Sequence, residues 1–197
     1  MSKPDAIAKI RDAERRDLAR IAEIYGYHVE HGLASFEETA PDVEEIGRRF
    51  DAVKALGMPY LVAELDGEVV GYAYCSTYRP RPAYRFTVEN TVYIDHRFPR
   101  RRLGYRLLEA LIARTEETPV RQMIAVIGDS DHAASIKLHE RLGFRLVGTL
   151  RGTGYKFGRW VDSVLMQRAI NAGDESPPDS PGGPPADSGA RTGTHPA

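Results

Sequence analysis

Cysteine is nearly missing from this chain of 197 residues, with Cys75 the only one. A single thiol supports neither an intramolecular disulfide framework nor a thiolate-rich zinc site. A charge excess of one sign is missing as well: 27 Lys+Arg stand against 28 Asp+Glu, a formal net charge of −1. Nucleic-acid binding, which calls for a strongly basic face, is not expected. No apolar run reaches the roughly 18 residues of a membrane span, and the N-terminus MSKPDAIAKIRDAERR lacks the apolar core of a secretory leader. No membrane association is expected, and the expected location is cytoplasmic. Residues 171–197 lack the most. They hold no Val, Ile, Leu, Met, Phe, Trp or Tyr, yet 6 of the 13 prolines and 5 of the 18 glycines. Such a segment cannot bury enough apolar surface to offset the entropy of ordering it, so a disordered Pro/Gly-rich acidic tail is expected. Its net charge of −3 leaves a single domain, residues 1–170, with a net charge of +2.

That domain alternates between strand and helix patterns. Ile7–Arg11 alternates weakly, as a strand does. Asp17 stands where an N-cap would start a helix over Leu18–Glu30, with Leu18, Ile21, Ala22, Tyr25 and Val29 on one face. After the loop HGLASFEETA, Pro41 has the N1 signature of a second helix carrying Val43, Ile46, Phe50, Val53 and Leu56, ended by Gly57. Tyr60–Leu65 and Glu68–Ser76 read as strands joined by Asp66-Gly67, a pair suited to a type I′ turn. Beyond the loop TYRPRPAYR come a strand (Val88–Ile94), an amphipathic helix (Leu103–Glu116) and a strand read as buried on both faces (Met123–Ile127). A helix (Ala133–Leu142) stopped by Gly143 follows, then two strands, Phe144–Leu150 and Val161–Gln167, flanking RGTGYKFGRW. The order β-α-α-β-β-β-α-β-α-β-β describes an α/β (α+β) fold, a mixed central sheet with helices on both faces. It lacks the regular alternation of a doubly wound nucleotide-binding fold.

Two features carry chemistry on their own. Glu89 is a carboxylate in an otherwise apolar, β-branched strand. Partial desolvation would raise its pKa and suit it to take a proton from an ammonium group; the alternative is a place on the strand's solvated face. Arg97, Arg100, Arg101, Arg102 and Arg106 crowd the start of a helix, where they oppose its dipole unless an anion binds there. His28, His31, His96, His132 and His139 show no acidic or thiolate clustering at ligand spacing, so no metal is expected.

The segments IAEIYGYHVEHGLASFEE, YLVAELDGEVVGYAY, RPRPAYRFTVENTVYI, LGYRLLEALI, QMIAVIGDSD, AASIKLHERLGF and GTLRGTGYKFGRWVDSVLMQ together resemble one family. It is the GNAT superfamily of N-acetyltransferases, in its phosphinothricin and methionine sulfoximine branch. The resemblance spans roughly Ile7 to Arg168 and implies the GNAT acyl-CoA N-acyltransferase fold, acetyl-CoA as co-substrate and a small amino acid as acceptor. It places Glu89 as general base and gives His139 a catalytic position whose task stays open: assisting Glu89, contacting the acceptor or protonating the leaving thiolate. A packing role for His139 is the alternative. The loop Tyr78–Tyr84 matches the acceptor-binding loop, with Arg79 and Arg81 to hold a carboxylate and Tyr84, Phe36 and Tyr93 lining the pocket. Main-chain groups of Val92, Tyr93 and Ile94 would hold the thioester. Arg100, Arg101, Arg102, Leu103, Gly104 and Tyr105 match the pyrophosphate loop, and His132 and Ser135 the pantetheine contacts.

The chain departs from that family in its cofactor loop. Pro99 replaces a polar residue, Arg102 stands where glycine is expected, and His132 replaces the usual asparagine. An arginine at a position needing positive φ would be strained. These departures support a second reading, an acyl-CoA-binding sensor without turnover. The aromatics of Gly154–Trp160 suit either one side of the acceptor pocket or a subunit contact, so a homodimer is expected.

Overall fold

In the computed structural model, which describes residues 7–99 and 101–178, the elements follow in the order expected from the sequence. They are β1 (Lys9–Asp12), α1 (Leu18–His31), α2 (Val43–Ala55), β2 (Tyr60–Leu65), β3 (Glu68–Thr77) and β4 (Thr87–Ile94). Then come α3 (Leu103–Glu116), β5 (Gln122–Gly128), α4 (Ala133–Arg141), β6 (Arg145–Lys156) and β7 (Arg159–Ala169). The strands form one mixed sheet in the order β1-β2-β3-β4-β5-β7-β6. All neighbours are antiparallel except β4 and β5.

Successive residues of β3 show how the two faces are used, because side chains alternate across a strand. Tyr74 stacks on Tyr60, whose ring meets Phe50 of α2. Its neighbour Cys75 meets Thr115 of α3 at 3.4 Å. Helices α1 and α2 therefore cover one face and α3 the other, each burying an apolar stripe such as Ile21, Val29 and Phe50 or Leu107, Leu108 and Leu111. The Asp66-Gly67 turn takes the expected positive φ angles, 51° and 84°.

Several local expectations need correction. Asp17 holds the N-cap position of α1 as expected, but its side chain makes no cap hydrogen bond to that helix. A short 3₁₀ turn, Arg15–Asp17, precedes that helix. The Asp17 carboxylate is buried, accepting from Arg11 at 2.7 and 2.9 Å and from the Glu14 amide at 2.8 Å. Helix α2 is capped by Asp42, which accepts from the Glu45 amide at 2.8 Å, so Pro41 lies outside it. The stretch RGTGYK is not a connection: β6 runs through it to Lys156, and the turn is Phe157-Gly158, with φ of 51° and 75°. β5 is not buried throughout, since Val126 is 38% exposed. Residues 171–178, placed with the tail in the sequence reading, are tied to the domain. Asn171 donates to the carbonyls of Thr118 and Val120 at 3.0 Å, and Arg121 donates to that of Pro177 at 2.9 Å. The rest of the expected tail lies outside the described residues. Among the described residues no helix is long and apolar enough to cross a membrane.

Candidate active site

The site begins as a fault in the sheet. β4 and β5 pair in parallel only from Thr87↔Gln122 to Glu89↔Ile124. Beyond that point β4 follows β3 as far as Gly71↔Ile94, while β5 follows β7 as far as Gly128↔Ser163. The two strands part, and a cavity of about 1120 Å³ occupies the opening. The Asp95 amide donates to Val70 of β3 at 2.9 Å, and the Thr87 carbonyl accepts from Tyr78 at 3.4 Å. Odd-numbered residues of β4 thus turn their main-chain groups to β3, and even-numbered residues turn theirs to the β5 side. The N–H groups of Val92 and Ile94 consequently face the gap, where among the described residues no strand pairs with them. His28 of α1 donates Nε2–H to the Ile94 carbonyl at 2.7 Å and closes the far end of this edge. Burial pushes the His28 imidazole below its usual range, although that hydrogen bond acts the other way.

Glu89 and Asn90 sit where the strands separate. Cross-strand partners share a face: Glu89 lies opposite Ser76, on the α1/α2 side with Tyr74, and Asn90 lies opposite Cys75, on the α3 side. Burial raises the Glu89 carboxyl above its ordinary value, with only a modest opposing pull from the Arg79 charge. On the other side of the sheet, His139 of α4 is buried, with Nδ1 2.8 Å from the Ser135 carbonyl and Nε2 3.0 Å from Asn90 Nδ2. Glu89 and His139 line one cavity from opposite faces of β4.

A loop from Gly32 to Pro41 forms the wall beside Glu89. Lys156, at the end of β6, is buried beneath it and donates to the carbonyls of Val29, Gly32 and Ser35 at 2.7, 3.0 and 2.8 Å. Burial pulls the ammonium pKa down, with the Glu38 and Glu37 charges acting the other way; the three bonds satisfy the buried group's donors. Phe36 lies against Gly154, where an added Cβ would come within 2.5 Å of its ring. The Tyr25 hydroxyl donates to Glu37 at 2.9 Å, and Arg49 grips the same carboxylate at 2.7 and 3.2 Å.

At the opposite end, α3 starts without a side-chain cap and without an acidic residue in its first turn. Its first N–H groups are therefore open to an anion. The residue in the cap position, Arg102, has φ 54° and ψ 18°. The expected arginine cluster is partly spent on the protein itself: Arg97 is bound by Glu68 and by Asp95, the latter at 2.7 Å. Arg101 lies over the Phe98 ring, 5.8 Å from its centroid. The Leu103 side chain is in the core, leaving only its main chain to offer. Arg100 lies outside the described residues.

Of the residues singled out in the sequence, Glu89, His139, Val92, Tyr93, Ile94, Gly104, His132, Ser135 and Phe36 line the cavity. Arg79, Arg81 and Tyr84 are not in its wall, although the Arg79 charge acts on Glu89. They sit on an exposed loop ending in a 3₁₀ turn, Pro82–Tyr84, with Tyr84 edge-on to Tyr78. Arg101, Arg102 and Tyr105 are likewise outside the wall. Sequence reasoning passed over Asn90, His28 and Lys156. Asn90 carried the same signal as Glu89, a polar side chain inside an apolar strand.

A family model described as an acetyltransferase (GNAT) domain matches residues 10–165. The chain is 51% identical over 170 residues to the phosphinothricin N-acetyltransferase of Alcaligenes faecalis, covering 86% of each. It is 41% identical over 171 residues to an L-methionine sulfoximine/L-methionine sulfone acetyltransferase of Pseudomonas paraeruginosa, covering 86% of this chain and 99% of the relative. Its structure superimposes, at a TM-score of 0.86 and 42% identity, on a GNAT superfamily phosphinothricin acetyltransferase from Sinorhizobium meliloti in complex with AcCoA, covering 92% and 97% of the two chains.

Proposed function

The chain belongs to the GNAT acetyltransferase family, and from that premise we propose that it moves the acetyl group of acetyl-CoA to the α-amino group of a small amino acid or analogue. Phosphinothricin, methionine sulfoximine and methionine sulfone define the acceptor class. The observation that carries the reading is Glu89: a half-buried carboxyl of raised pKa at the point where β4 and β5 part. Acetyl-CoA supplies an activated thioester. The open N–H edge of Val92 and Ile94 suits the thioester carbonyl, and the uncapped start of α3 with Gly104 suits the pyrophosphate. His132 and Ser135 lie along the cavity between them.

In this reading Glu89 takes the proton that keeps the acceptor nitrogen an ammonium, directly or through water. The freed lone pair forms the C–N bond while one amide of the Val92–Ile94 edge holds the carbonyl oxygen; the C–S bond then breaks, and the nitrogen's second proton leaves with the thiolate as the thiol or passes to solvent. When neutral with Nδ1–H donating to the Ser135 carbonyl, His139 presents a lone pair at Nε2 and would not protonate the thiolate from that nitrogen. Arg79 and Arg81, on the loop that precedes β4, would hold the acceptor carboxylate. The exposed residues Leu146, Val147, Leu150 and Tyr155 follow the edge strand β6, and Trp160 stands opposite Tyr155 at the start of β7. They support a homodimer, and sedimentation of the free protein tests that assembly; the proposed location is cytoplasmic.

Thiol release from acetyl-CoA with a panel of these acceptors is the direct test of the activity. Glu89→Gln should lower kcat by about 10²–10⁴-fold and leave acetyl-CoA affinity nearly unchanged. Because the base must be ionised, wild-type activity should fall with decreasing pH through a limb above the ordinary carboxylate range. Folded protein that turns over none of the panel removes the proposal, and a fully active Gln variant removes Glu89 as base. Arg102 favours the sensor reading; calorimetric binding of acetyl-CoA without thiol release would select it.

A further inference from the structure

His139 is committed at both nitrogens of its ring. Nδ1 lies 2.8 Å from the Ser135 carbonyl oxygen, which can only accept, so Nδ1 carries a proton. Nε2 lies 3.0 Å from Nδ2 of Asn90. In the neutral ring Nε2 is then a lone pair, and the amide N–H donates to it. In an imidazolium a second N–H would point at the amide's own N–H.

The surroundings favour the neutral state. His139 is 4% exposed, and its ring sits edge-on to Phe144 at the start of β6, 4.9 Å between centroids. The β5 sequence QMIAVIG brings no titratable side chain to it. On β4 the Glu89 carboxylate lies on the opposite face. Burial pushes the imidazole below its usual range; the Ser135 carbonyl acts in the other direction, and His132, at the start of the same helix, adds to the lowering. One consequence falls on Asn90. Its side chain is buried, at 7% exposure for the residue, and among the described residues Oδ1 has no hydrogen-bond partner. A buried acceptor left unpaired is costly, and the few that persist in folded proteins call for a reason.

We propose that Asn90 is a positioning residue for His139: its amide N–H presents Nε2 as an acceptor at the edge of the gap, while Oδ1 is the acceptor that an Nε2–H would need. The inference rests on the acetyltransferase reading only in taking this gap as the reaction site. Half a turn about the Cβ–Cγ bond exchanges Nδ2 and Oδ1 and needs no backbone movement. The amide therefore has two settings, one for each charge state of the ring. In the setting found here His139 is unable to supply a proton to the gap. Neither setting pairs every polar atom of the amide, so the choice stays sensitive to what enters the cavity.

The test reads the ring itself. In protein labelled with ¹⁵N-histidine, long-range ¹H–¹⁵N spectra report tautomer and pKa, with His139 assigned by its loss in His139→Gln. The expected result is an Nδ1–H tautomer that stays neutral below the pH at which an exposed histidine is half protonated. Asn90→Asp, which sets a carboxylate against Nε2, should raise the ring's pKa by roughly 1–3 units. It should also move the acid-side fall of kcat upward while the KM for acetyl-CoA stays within about twofold. Asn90→Ala buries no new charge, and it should shift the ring the same way by less. An Nε2–H tautomer in the wild type, or a ring indifferent to both substitutions, overturns the proposal. Correct ring behaviour without turnover would remove the acetyltransferase reading and leave the coupling standing; turnover with an indifferent ring would do the reverse.

Discussion

Replacing Arg102 with glycine should make the protein more stable. Arg102 sits at φ 54° and ψ 18°, immediately before α3. An L-residue in this left-handed region costs roughly 1–2 kcal/mol, because its Cβ crowds the following carbonyl. Glycine removes that cost but returns about 0.5–1 kcal/mol through the greater freedom of the unfolded chain. The Arg102 side chain is exposed and makes no side-chain cap of the helix, so little offsets the strain. The net gain is about 0.5–1 kcal/mol, a rise in Tm of roughly 1–4 °C for a domain of this size. Arg102→Ala supplies the control. It removes the same charge but keeps the Cβ, and it should gain nothing. Melting curves of the three proteins without ligand decide the matter. Equal gains in the Gly and Ala variants would trace the effect to charge repulsion among the arginines, and no gain in the Gly variant would refute the strain argument. The same pair separates the roles of this residue in binding. If the Cβ keeps phosphate from the start of α3, Gly but not Ala should tighten acetyl-CoA binding by calorimetry.

Two more predictions concern buried charges away from the reacting groups. Lys156→Met leaves the carbonyls of Val29, Gly32 and Ser35 without their donor and should destabilise the protein by about 2–4 kcal/mol in chemical denaturation. Because those carbonyls belong to the end of α1 and the loop beside Glu89, the KM for the acceptor should rise several-fold more than that for acetyl-CoA. The second concerns acid stability. Burial alone would raise the Asp17 carboxyl, but the Arg11 hydrogen bonds and the Glu14 amide outweigh it and hold the pKa below the ordinary value. Asp17 therefore contributes stability that is complete above the unfolded carboxylate pKa near ~3.9 and is lost as pH falls through the lower folded value. Asp17→Asn should cost stability at pH 7 and flatten part of the acid decline, as followed by urea titrations across pH.

The parts of this molecule that were legible in the sequence are those set by local pattern. Apolar spacing reports which face of a segment is buried, so the helices bearing Ile21 and Leu107 and the Asp66-Gly67 turn could be read directly. The family's glycine position likewise marked Arg102 as strained before any angle was known. What escaped depends on pairing between distant segments. Nothing in TVENTVYI or QMIAVIG says that their pairing ends at Glu89↔Ile124, yet that ending creates the cavity. Nothing in the segment Gly154–Trp160 marked Lys156, because the carbonyls it serves are more than a hundred residues earlier in the chain. Arg97 was counted toward a phosphate site because its partners, Asp95 and Glu68, carried no mark of their roles.

The same dependence on the sheet constrains how the two singled-out residues can work together. Glu89 and Asn90 are adjacent, so their side chains leave β4 on opposite faces. Glu89 faces the aromatic side with Tyr74 and the acceptor-side loop, while Asn90 carries the contact to His139 on the α3 side. A base and a partner placed this way meet only through whatever occupies the gap between β4 and β5. They do not form a hydrogen-bonded pair in which one activates the other, as a nucleophile and its base do. In the proposed mechanism, proton removal from the incoming amine belongs to the Glu89 side. What happens at Nε2 of His139 is governed separately, by an amide whose carbonyl oxygen has no partner among the described residues.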